Sequence, residues 1–179
     1  MRRRLLIIPL LVLALIGFAA ATSGCGDEPT AEAKEGEPLE LGDLEYSIQI
    51  TRELNRFSPE DAAYLAGAPP LRPAQEYLGV FMQVTNNGEE ATVVPDPFKI
   101  VDTRGRIYEQ VPLENEWALK PGTPVLPDET VPGPETPAKN GPIEGSLILF
   151  VIDEAANENR PLVLEVPGPD EVGEIVLDL

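Results

Sequence analysis

The chain has 179 residues, with 31 acidic and 13 basic side chains, a formal net charge of −18 and no histidine. So acidic a body repels nucleic acid and anionic head groups. Without imidazole, no Ser-His-Asp triad, Cys-His pair or histidine zinc site can form. A single cysteine excludes an internal disulfide.

Arg2, Arg3 and Arg4 precede an uncharged apolar run at residues 5–21, followed by Thr22, Ser23, Gly24 and Cys25. A positive start, an apolar stretch and small residues before a cut form the layout of a secretory signal peptide. The run is 17 residues long and interrupted by Pro9. That is short of the roughly 20 that cross a bilayer, which argues against an uncleaved anchor. A lone cysteine directly after the small residues resembles the lipobox of bacterial lipoproteins. The resemblance implies removal of residues 1–24 and a diacylglyceryl group on Cys25, with palmitate-type acyl chains. Such a protein sits on the extracytoplasmic face of the cell membrane, held firmly because two or more chains anchor where one does not. The 155 residues then left carry ten basic and 31 acidic side chains, a charge of −21. That is enough chain for one domain with its own core, and the charge reads as a solubilising surface.

Residues 26–40 (GDEPTAEAKEGEPLE) contain no aromatic or β-branched aliphatic side chain. With Cys25 they predict a disordered acidic tether over residues 25–40. About 14 flexible residues reach roughly 20 Å. A folded domain is expected over residues 41–179.

Leu44, Tyr46, Ile48 and Ile50 alternate with polar residues, the period of a half-buried strand. Residues 58–67 read as a short helix. Ser58 suits the N-cap, Pro59 the first helical position, Glu60 and Asp61 the positive end, and Gly67 the C-terminal turn. Pro69, Pro70 and Pro73 stop it. Residues 77–85 (YLGVFMQVT) are apolar on both faces, which predicts a central strand. Asn86, Asn87 and Gly88 predict a tight hairpin turn after it. Short strands are expected at residues 92–94 and 98–101. A turn at residues 102–105 leads into a strand at 106–111. Residues 114–142 form a long proline-rich loop carrying Trp117, and such loops are functional or disordered. The apolar run at residues 146–152 (SLILFVI) reads as a buried strand, followed by strands at 162–166 and 174–179. About seven to eight short strands, one short helix and the proline-rich loop predict an all-β fold, an antiparallel β-sandwich.

The run at residues 77–110 resembles a domain-of-unknown-function family numbered 4352, common in secreted bacterial lipoproteins. The matching features are an apolar strand (Leu78, Val84), an Asn-Gly hairpin with acids (Asn86, Glu90) and a Phe-bearing strand (Phe98, Val101). Asp102, Gly105 and the aromatic Tyr108 follow. The resemblance extends over roughly residues 41–179 and implies an immunoglobulin-like sandwich outside the membrane. It implies no catalytic residue, and the 114–142 loop is longer than the family's pattern.

Chemistry-bearing residues are sparse. Ser-Lys catalysis would need Lys34, Lys99, Lys120 or Lys139, and none stands in a Ser-x-x-Lys spacing. Copper carriage would need more than Met82. Carboxylate pairs abound by chance, so a hydrolase is a distant reading. Calcium would take oxygen ligands, and Asp96 and Asp102, or Asp128, Glu129 and Glu135 in the loop, are the candidates, without EF-hand spacing. Trp117 could anchor a partner or tack the loop onto the core, and the second is expected. Tyr64 and Leu65 are expected to cap the sandwich. The function expected is a non-enzymatic, membrane-anchored binding or spacer module. It has no cofactor, no catalytic residue and no metal site, with lipidation at Cys25 and an envelope protein as partner at its loops or a sheet edge. The alternative is a small-ligand or calcium-binding envelope protein using the acidic loop.

Overall fold

The computed structural model describes residues 31–168 and 171–179. The expected signal peptide and lipid site at Cys25 lie outside the described residues. Among these, twelve strands occur in chain order: β1 (Ala31–Lys34), β2 (Leu39–Leu41), β3 (Leu44–Leu54), β4 (Gln75–Asn86), β5 (Thr92–Val93) and β6 (Lys99–Val101). Then come β7 (Ile107–Val111), β8 (Pro124–Val125), β9 (Thr130–Val131), β10 (Ser146–Asp153), β11 (Val163–Pro167) and β12 (Val172–Val176). One helical turn, α1 (Pro137–Asn140), and a 3-10 turn at Glu154–Glu158 complete the elements.

The fold is the expected β-sandwich. One leaf runs β1-β12-β11-β6-β7 and the other β7-β10-β4-β3-β2, and β7 is the corner between them. Its first half pairs with β6 (Ile100↔Tyr108) and its last two residues with β10 (Leu149↔Val111). Tyr46, Val80, Met82, Ile148 and Phe150 meet Ile100, Leu164, Val166 and Ile175 between the leaves. Each such side chain, fully buried, contributes about 1.5–3 kcal/mol. Strand β4 is central as expected, paired with β3 on one edge and β10 on the other. Its second apolar face is buried too. Tyr77 and Phe81 point away from the interleaf core into a second cluster, covered by Tyr64, Leu65, Leu113 and Trp117. The 55–74 connection and the proline-rich loop therefore form a third layer over the sandwich.

Several expectations need correction. The disordered tether does not extend to residue 40. β1 pairs in parallel with β12, from Ala31↔Gly173 to Lys34↔Val176, and β2 pairs with β3. Leu39 and Leu41 fill the core, and the Glu35 carboxylate accepts the Thr51 amide (2.8 Å) and the Asp178 amide (2.9 Å). Composition misses this because ladder hydrogen bonds belong to the backbone, and an existing strand edge orders a segment that could not order itself. This parallel pair also makes the sandwich not purely antiparallel, and short added strands raise the number above seven or eight.

Residues 58–67 are a succession of turns and not a helix. The Asp61 carboxylate is turned back to the Asn55 amide (2.8 Å) and to Arg52, away from a helix end. Asn86, Asn87 and Gly88 do not form a tight hairpin. Gly88 lacks a positive φ, and the chain after β4 crosses to β5, which pairs with β8. The Asn86 side chain is buried instead, donating to the carbonyls of Glu90 (2.8 Å) and Val125 (3.0 Å) and accepting the Gly88 amide (2.9 Å). Residues 114–142 are not structureless. β9 pairs with Val84 and Thr85, taking over the β4 edge where β10 ends at Met82. The turn at residues 102–105 is as expected: Gly105 has φ +75°, and the Asp102 carboxylate accepts the Arg104 and Arg106 amides, each at 2.9 Å.

The registers place the chain's features at two poles. Ala31 begins at the pole that holds residues 42–43, 87–91 and 126–129. The opposite pole holds the 55–74 connection, the 102–106 turn and the Glu154–Glu158 turn.

Gly79 tests the two-sided burial. A Cβ there would lie 2.8 Å from Leu54 Cδ1 and 2.9 Å from Leu147 Cδ1. Gly79→Ala is expected to lower stability by about 1–3 kcal/mol through overpacking, read as a lower urea midpoint. An unchanged midpoint would mean that the outer layer yields freely.

Candidate functional site

The carboxylates considered for calcium do not converge. Asp102 is engaged in its turn, and Glu129 accepts the Leu126 amide (2.9 Å) within the 126–129 turn. Among the described residues no three acidic or cysteine side chains are grouped so as to hold a metal ion. The lysines are also dispersed: Lys120 pairs with Glu114 and Lys139 with Glu144, both near the surface, while Lys99 stands on β6. Met82 is fully buried between the leaves.

Trp117 is tacked to the second core. Its ring lies edge-on to Tyr64 at 4.9 Å between centroids, and Tyr64 lies edge-on to Phe81 at 5.1 Å. Trp117 and Leu119 also exchange backbone hydrogen bonds with Leu147 at the start of β10 (2.7 and 2.8 Å). Tyr64 and Leu65 cap the outer face of β4, the covering role expected of them.

The surface feature that the sequence reading passed over is a groove at the pole opposite Ala31. It has a volume of about 560 Å³, is open to solvent, and is lined by Arg56, Phe57, Pro70, Leu71, Gln75 and Tyr77 among others. Arg56 fixes its wall: the guanidinium donates to the carbonyls of Ala68 (2.8 Å) and Pro69 (3.1 Å), and to the Tyr77 hydroxyl. That cation stands over the Tyr77 ring at 5.4 Å, a cation–π contact. The Tyr77 hydroxyl in turn donates to Pro69. Phe57 is 92% exposed on the rim. Exposed aromatic side chains of this kind are the ones that most often carry binding energy at protein interfaces. The available signal in sequence was a Phe just before Ser58-Pro59, outside any alternating pattern.

Electrostatics on the outer face of the β1 leaf are unfavourable. Glu32 and Glu165 both stand opposite Glu174 on neighbouring strands, and Glu165 also faces Lys99. Burial raises the Glu174 pKa above the usual carboxylate range, and the Glu32 and Glu165 charges raise it further. Burial likewise raises Glu76, helped by Glu53.

No protein-family model matches this chain, and no curated protein matches it. Solved structures do. An uncharacterized β-sandwich protein from Clostridium difficile 630 aligns with a TM-score of 0.52 at 10% identity, over 88% of this chain and 100% of its own. The yjhA protein from Bacillus subtilis aligns with a TM-score of 0.55 at 14% identity, over 82% of this chain and 99% of its own. At such identities the likeness is one of fold, and it agrees with the sandwich described above. Among the described residues no helix is long and apolar enough to cross a membrane.

The glutamate row gives a pH prediction. A carboxyl whose folded pKa is raised costs stability above that pKa, and the cost is lost as pH falls through it. Stability is therefore expected to rise from pH 7 toward the raised pKa of Glu174. Glu174→Gln should stabilise by about 0.5 kcal/mol at pH 7, the scale of one like-charge cross-strand pair, and flatten that rise. Thermal melts between pH 5 and 7.5 read both, and a destabilised variant or an unchanged slope would contradict it.

Proposed function

We propose that this chain is a non-enzymatic β-sandwich module, lipid-anchored through Cys25 on the extracytoplasmic face of the membrane, which acts by binding a partner at its outward pole. The observation that carries this reading is the N-terminal pattern: three arginines, an apolar run, small residues and then the chain's single cysteine. The body supports it in one respect. A thiol-free sandwich held by apolar burial folds without redox help in any compartment.

The short reach from anchor to body sets the orientation. Ala31 follows Cys25 by six residues, so chain geometry alone limits their Cα atoms to about 20 Å. On this reading the Ala31 pole faces the bilayer and the Phe57 groove points away from it. An 11-residue strand such as β3 spans about 36 Å between the two poles. The net charge keeps the body itself off anionic head groups.

Intact-mass measurement of the protein extracted from membranes tests the anchor. The expected species begins at Cys25 and carries a diacylglyceryl group, and Cys25→Ala is expected to leave the protein unlipidated. A mass that retains residues 1–24, or a mature form without lipid, would refute the reading.

A further inference from the structure

The Phe57 groove does not stop at Gln75. On the other side of that residue a second open groove, of about 510 Å³, runs over the outer face of β7 and β10, lined by Arg72, Lys99, Arg106 and Ile107. Leu71 lines the first groove and Arg72 the second, so the two meet at consecutive residues. Among the described residues, Arg72 and Lys99 have no carboxylate at salt-bridge distance, whereas Arg106 is paired with Asp153. Tyr108 also lines the second groove, with its hydroxyl close to the Arg106 guanidinium.

The apolar residues point to the same place. Among the described residues seven large apolar side chains are exposed, and Phe57, Leu71 (37%) and Ile107 (55%) line these joined grooves. The charges are as unusual. In a chain with 31 acids to 13 bases, four cations, Arg56 among them, here meet four carboxylates: Glu53, Glu76, Glu109 and Asp153. Those interleaved acids repel a continuous run of phosphates, which argues against a polyanion. They admit a ligand whose negative charge is discrete and lies beside apolar surface.

We infer that the joined grooves bind a peptide segment of a partner protein in which an acidic side chain adjoins an aromatic or aliphatic one. The carboxylate is taken by Arg72 and Lys99, and the apolar side chain lies against Phe57 and Leu71. This deepens the binding reading above and needs no lipid on Cys25, so the mass measurement and the test below can fail separately.

The test is selection of random heptapeptides, displayed on phage, against the full chain in detergent micelles. Selected peptides are then measured by fluorescence anisotropy. The expected winners place Asp or Glu beside Phe, Leu or Ile. They lose about tenfold or more in affinity to Arg72→Ala/Lys99→Ala and to Leu71→Ser, the scale of a charge-assisted contact or an anchor side chain. They bind Lys120→Ala/Lys139→Ala unchanged. Thermal melts check that the variants fold, and Arg72→Gln alone, exposed and outside the strands, serves where the double variant melts lower. Winners without that pairing, equal binding by the variants, no enrichment, or tighter binding of sodium polyphosphate than of peptide would each overturn the inference.

Discussion

Phe81 and Met82 are neighbours in β4 that point in opposite directions, and neither reaches water. Met82 packs between the leaves, and Phe81 packs under Tyr64 in the outer cluster. Burying successive side chains on both faces requires three layers, and among the described residues the main sheet supplies two leaves. The third layer is built from connections. That requirement explains why a segment as proline-rich as residues 114–142 holds Trp117 in place over the outer cluster, while its Leu119, Val125 and Val131 pack against the interleaf core.

The edges of β4 obey the same constraint. An unpaired central edge would leave amides and carbonyls buried without partners, at a cost of about 1–3 kcal/mol each. β3 covers one side, and β10 followed by β9 covers the other. Asn86 closes the end with three side-chain hydrogen bonds where regular pairing ceases. While this loop packs against the interior, the exposed Phe57 and Arg72, a cation without a salt-bridge partner among the described residues, lie at the other pole.

Much of the fold was legible because burial writes periodicity into sequence. Two-sided apolar character in residues 77–85 marked the central strand, and the SLILFVI run marked its partner. The signals that failed were local ones that long-range structure overrode. Ser58, Pro59 and Gly67 carry helix-end chemistry, but Asp61 is drawn to Arg52 and Asn55. The Asn-Asn-Gly run carries hairpin chemistry, but Asn86 serves better as a buried bridge. β1 was invisible because its order comes from the β12 backbone and the Glu35 carboxylate. The groove was invisible for a related reason. Phe57, Leu71 and Arg72 come from the 55–74 connection and Ile107 from the start of β7, with no common period, and only the pairing of β4, β7 and β10 brings them to one pole.

Hydrogen exchange of the full chain, read by mass spectrometry, tests most directly whether the connections are a structural layer. If they are, the amide of Leu119, which donates to the Leu147 carbonyl, and the β9 ladder exchange on the slow timescale of β4 and β10. Protection confined to the two sheets, with residues 114–142 exchanging at the rate of an unstructured peptide, would contradict the account.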